Sequence, residues 1–190
     1  MKKLILLFIC LSMIGSVAFA SEQQNKGSQN RETDMMPQQE LSKDTEKNKW
    51  SFIVENELGS YAYDNTSVSF LEDKKGKKDS NIVEADIKTI FVNKELLKRI
   101  DGKYANQLKN GDTTDYCVMH MIFNRAEETY KVTAMQVFSM NRKKLEDKVV
   151  NNGFSPIPEK SFVKATLKVL NQYIEVNIGD MLFTKRYLVI

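Results

Sequence analysis

The side chains able to do acid–base or covalent work are few. His120 is the chain's one histidine. It lies in Tyr116-Cys117-Val118-Met119-His120-Met121-Ile122, where alternate residues of a strand share a face, so it keeps company with Tyr116, Val118 and Ile122. A base or metal ligand needs partners, and no second His or Cys lies at ligand spacing. His120 therefore reads as a structural histidine. A serine nucleophile would depend on that same imidazole. The chain holds no G-x-S-x-G, H-E-x-x-H, phosphate loop or paired-cysteine motif. Carboxylate pairs such as Glu127-Glu128 fall in turns, where water screens them. The expectation is a protein that is not an enzyme, with no catalytic, cofactor-binding or metal site.

Three other groups have chemistry to weigh. Cys117 alternates with Met119, Met121 and Phe123, which makes it a small core hydrophobe. Its other use is an intermolecular disulfide, which would give a dimer, because an exported chain with an odd cysteine can pair between copies. Lys74, Lys75, Lys77 and Lys78 form the densest basic run. They are a candidate grip on an anionic polysaccharide or an acidic partner protein, although Asp73 and Asp79 flank them and a solvated hairpin tip is the simpler reading. Met119, Met121, Met135 and Met140 read as core at alternating strand positions, with a pliable binding surface as the other reading.

The elements that must position these residues follow from periodicity. Trp50–Val54, Tyr61–Tyr63, Val68–Leu71 and Ile82–Val92 have strand composition. In the last, Val83, Ala85, Ile87, Thr89 and Phe91 face one way and Glu84, Asp86 and Lys88 the other, the mark of a sheet with one wet face. Lys94–Leu108 switches to helical spacing, with Leu97, Ile100, Tyr104 and Leu108 as its stripe. Tyr116–Asn124 and Thr129–Met140 form an antiparallel pair joined at Arg125–Glu128, the second with Tyr130, Val132, Ala134 and Phe138 on one face. Leu145–Val150 follows as a short strand. Pro156-Ile157-Pro158 delays a last helix, whose stripe is Val163, Leu167, Leu170 and Ile174 and whose cap is Ser161 or Ser155. Asn177–Asp180 should end it, leaving Met181–Ile190 as an edge strand or a loose tail. The fold class is mainly β (α+β): a curved antiparallel sheet of about six strands, a half-barrel or small sandwich, with a middle and a C-terminal helix packed on it.

The flanks set the compartment. Met1-Lys2-Lys3, an apolar run from Leu4 to Ile14, and Ala18-Phe19-Ala20 have the three parts of a secretory signal, residues 1–20. That run falls short of the roughly 20 apolar residues a membrane helix needs. The leader carries two lysines and no acid, so its removal takes the formal charge from +3 to +1. A near-neutral domain offers nucleic acid no basic face. Residues 21–47 are polar and expected to be a disordered linker. Cys10 leaves with the leader, so Cys117 has no partner for an internal disulfide. The domain from 48 to 190 then stands on burial, which about 140 residues suffice to provide.

The order of features resembles the surface-adhesin protein E family of exported bacterial proteins. Carrying the resemblance are Trp50 at the domain's start, Tyr63-Asp64 followed by Ser67-Val68, the strand Ile82–Val92, paired strands joined near Arg125 and Tyr130, and the Pro156–Ser161 lead into a terminal helix. It spans about residues 48–174. It implies an antiparallel sheet with helical cover and, by the family's name, binding to host surface or matrix proteins. It brings no catalytic residue. Members commonly tie a Cys before the Arg-containing turn to a Cys in the last helix; here Asn124 holds the first position and 168–176 hold no Cys. The expected function is an exported, non-catalytic binding module that meets a protein partner at the cell envelope. The alternative is a periplasmic housekeeping protein with no host ligand.

Overall fold

The computed structural model describes residues 49–109 and 111–183. The leader 1–20, the linker 21–47 and the end of the tail, 184–190, lie outside the described residues. Eight strands build one open sheet. They are β1 (Trp50–Glu55), β2 (Gly59–Asp64), β3 (Ser69–Glu72), β4 (Lys78–Phe91), β5 (Thr114–Asn124), β6 (Thr129–Ser139), β7 (Lys144–Val149) and β8 (Ser155–Pro156). Their order is β1-β2-β4-β5-β6-β7, with β3 beside β4 and β8 beside β6. The main path is the six-strand sheet expected. A sandwich would need a second sheet, and every described strand joins this one.

β4 is long enough to pair with three neighbours. Its last residues, Ile87–Phe91, pair with β2 and its first with β3, while β5 lies along its other side. The close approach of β2 needs a glycine: a Cβ on Gly59 would sit 2.4 Å from the Ile90 carbonyl oxygen. Between β2 and β3 the chain turns on Asp64, whose carboxylate accepts from the Thr66 N–H and hydroxyl at 2.9 and 2.6 Å. The Lys49 ammonium lies 2.6 Å from its other oxygen. Burial alone would raise the pKa of Asp64; the Lys49 and Thr66 contacts outweigh it and hold the carboxyl below its usual range.

Two helices cover one face. α1 (Lys94–Tyr104) starts on Asn93, whose side-chain oxygen accepts from the Leu96 N–H at 2.9 Å. Its buried stripe is Leu96, Ile100 and Tyr104. The expected helix to Leu108 stops a turn early, and Leu96 rather than Leu97 is the buried leucine. α2 (Phe162–Phe183) is capped by Ser161, whose hydroxyl oxygen accepts from the Lys164 N–H at 3.2 Å. Val163, Leu167, Leu170 and Ile174 are buried as the spacing predicts. The helix does not end at Asn177–Asp180. It runs through them to Phe183, because the Asn177 amide turns back to the Tyr173 carbonyl at 2.8 Å and Met181 is itself buried. Met181 thus belongs to a helix rather than to an edge strand.

The core lies between the helices and the inner face of the sheet. Val83, Ala85, Ile87, Cys117, Met121 and Phe123 meet the α2 stripe there. Tyr61 stacks on Phe162 with ring centroids 4.4 Å apart. β6 departs from strict alternation. His120 pairs with Ala134 but Met121 pairs with Val132, so Thr133 is an extra residue, a β-bulge. Beyond it the faces exchange. Met135 and Val137 point inward, while Ala134 and Phe138, expected on the core face with Tyr130 and Val132, stand on the outer one.

Candidate functional site

The face turned away from the helices carries the polar chemistry. Cross-strand pairs share a face, so the register lays it out in rows. Ser60, Ile90, Tyr116 and Phe138 form one; Phe52, Ala62, Lys88, Val118 and Gln136 form the next. Asp86 and His120 follow, then Glu84 and Ile122. Among the described residues no helix packs on these rows. Phe52 is 65% exposed and Val149, opposite Ala134, 83%. Ile90 and Phe154 are exposed as well, while Ile122 is buried despite its outward position.

His120 is held between two carboxylates from the neighbouring strand. Its Nδ1 lies 2.8 Å from Asp86 Oδ1 and its Nε2 3.4 Å from Glu84 Oε2. The Ser69 hydroxyl donates to the other Glu84 oxygen at 2.7 Å. The backbone N–H of Asp86 donates to the Ser67 hydroxyl oxygen at 2.8 Å, which fixes the strand carrying the carboxylate. The hydrogen bond to Asp86, then that to Glu84, pushes the His120 pKa up to about 9 against the opposing effect of burial. At neutral pH the ring is an imidazolium with both N–H groups engaged. Ser69, His120 and an acid are present, but Ser69 donates to Glu84 and not to the imidazole, so the order of a nucleophilic triad is missing. Among the described residues no group of three or more His, Cys, Asp or Glu is placed to hold a metal ion.

Beside this clamp lies a cation–aromatic array. The Lys88 ammonium is 4.2 Å from the Tyr116 ring centroid and 5.3 Å from that of Trp50. Tyr116 stacks on Phe138 at 4.8 Å. Lys131 covers Phe154 at 4.8 Å. Such contacts hold long side chains in place and leave flat ring area beside fixed charge.

The residues singled out from sequence fall elsewhere. Cys117 is buried in the inner face. An intermolecular disulfide would require the helical cover to lift, so the core role is the one the structure supports. Met119, Met121 and Met135 are buried with it, whereas Met140 is 66% exposed and belongs to no core. Lys74, Lys75 and Lys77 stand exposed on the β3–β4 turn. Lys78 is apart from them: its ammonium donates to the Met181 carbonyl at 2.6 Å and ties β4 to the end of α2. Asn124 caps its turn by accepting from the Ala126 and Glu127 N–H groups at 3.1 Å. The next residue joins turn to helix, the Arg125 Nε donating to Asn171 Oδ1 at 2.7 Å.

Sequence reasoning put His120 on the right face but missed Glu84 and Asp86 as its partners and Ser69 as the group that holds Glu84. The signal was the β4 alternation, which places Glu84 and Asp86 on a wet face; the missing information was register. The chain matches no known family model, and no curated protein matches it. No helix among the described residues is long and apolar enough to cross a membrane.

Proposed function

We propose that this chain is an exported, non-catalytic module that binds a protein partner at the cell envelope, and that the outer face of its sheet is the contact surface. One observation carries the reading: both helices cover the same face, and the opposite face exposes Phe52, Ile90 and Val149 around the Trp50–Lys88–Tyr116–Phe138 array. Exposed apolar groups set among polar ones are a common mark of an interaction surface, and aromatic residues are enriched in such surfaces. The doubly engaged imidazolium supports a role without catalysis. The resemblance to the surface-adhesin protein E family and the leader-like residues 1–20 support export and a host or matrix partner. The test is protease treatment of intact cells, together with saturable binding of the purified chain to matrix proteins. Phe52→Glu should abolish that binding and leave folding intact, since Phe52 is mostly exposed. Detection only after the outer membrane is opened, with no saturable binding, would overturn the host-facing reading in favour of a periplasmic protein.

A further inference from the structure

The β3–β4 hairpin supplies a second surface, independent of the outer face. Its tip is tightly built. The Asp73 N–H donates to the Lys77 carbonyl at 2.9 Å and the Gly76 N–H to the Asp73 carbonyl at 3.0 Å. Gly76 takes φ +75°, and a Cβ there would meet nothing within 4 Å, so the tip projects into open space. The two flanking acids are turned to the backbone. Asp73 Oδ1 accepts from the Lys75 and Lys77 N–H groups at 2.8 and 2.9 Å, and Asp79 Oδ1 from the Asn81 N–H at 2.9 Å. Glu72 stands opposite Lys78 in the register. Lys74, Lys75 and Lys77 are exposed, and among the described residues no carboxylate pairs with them, in contrast to Lys49, Lys103, Lys144 and Lys164.

We infer that this tip is a basic foot that rests on an anionic phospholipid surface. Charge complementarity picks the occupant. Three exposed ammonium groups on a hydrogen-bonded turn match a plane of phosphates, which demands no shape fit. Attraction of lysines to such a plane is additive and acts within a Debye length.

Co-sedimentation of the full chain with two kinds of vesicle tests this: phosphatidylcholine alone, and phosphatidylcholine with a minor fraction of phosphatidylglycerol, each at low and high salt. Residues 1–20 carry Lys2 and Lys3 besides their apolar run, so the readout is the change in anionic preference between the wild type and a tip variant that share them. The wild type should favour the anionic vesicles by about tenfold or more at low salt and lose that preference at high salt. K74E/K75E/K77E should remove it, with an unchanged circular dichroism spectrum, because the three side chains are exposed. Equal binding to both vesicles, or a preference that survives the triple variant, would overturn the inference. Retention on immobilised polyglutamate through the same lysines, without vesicle preference, would likewise overturn it and assign the tip to an acidic polypeptide.

Discussion

Replacing Asp86 by Asn should destabilise the protein at pH 6 and leave its stability unchanged at pH 10. Asp86 is the stronger of the two carboxylates acting on His120, at 2.8 Å against 3.4 Å for Glu84. The imidazole rises from its ordinary 6.5 to about 9 in the folded protein. Each unit corresponds to about 1.4 kcal/mol, which would give roughly 3 kcal/mol for a fully sheltered pair. His120 is a third exposed, and solvent screening reduces this to about 1–2 kcal/mol. The folded state binds the proton more tightly than the unfolded state, so the contribution is complete below pH 6.5, shrinks as pH rises from there, and is gone above about 9. Asp86→Asn should remove about 1 kcal/mol of it. Urea unfolding followed by Trp50, the single tryptophan, measures the difference at each pH. His120 is the single histidine, so its ring proton resonance reports the midpoint directly. A folded-state midpoint at or below 6.5, or a wild-type to variant difference that does not change between pH 6 and 10, would refute the clamp.

Three further outcomes follow from the packing. Gly59→Ala must push a methyl against the Ile90 carbonyl and should lower stability by about 2 kcal/mol, read as a fall in the urea midpoint. Arg125→Ala and Asn171→Ala should each cost about 1–2 kcal/mol, and the double variant should cost less than the sum of the two, since both remove one bond between the β5–β6 turn and α2. Cys117 should resist a thiol reagent in the native protein and react once urea unfolds it; rapid native labelling would show the cover over β5 to be loose.

Polar contacts fix the seating of α2. A helix resting on a sheet by its apolar stripe alone is fixed in distance but weakly in rotation. Three contacts spread along its length restrict α2: Lys164 to Glu128 at 2.6 Å near its start, Arg125 to Asn171 at its middle, and Lys78 to the Met181 carbonyl near its end. The exposed pair, Lys164 with Glu128, adds little free energy by itself. All three demand one particular placement of the helix.

The alternation in β4 and β5 and the spacing in α2 were enough to tell which residues face the core. A side chain's direction depends on its own backbone geometry, and that is local. Val83 to Phe91, Cys117 to Phe123, and Val163 to Ile174 are buried as their periods require. What joins residues distant in the chain could not be read that way. The bulge at Thr133 sends Phe138 outward to Tyr116; the register of β4 against β5 brings Glu84 and Asp86 to His120; the buried Met181 carries α2 past a glycine and an aspartate that would end an isolated helix. Each is settled by how one element fits another across the whole domain, where burial and cross-strand pairing outweigh local preference.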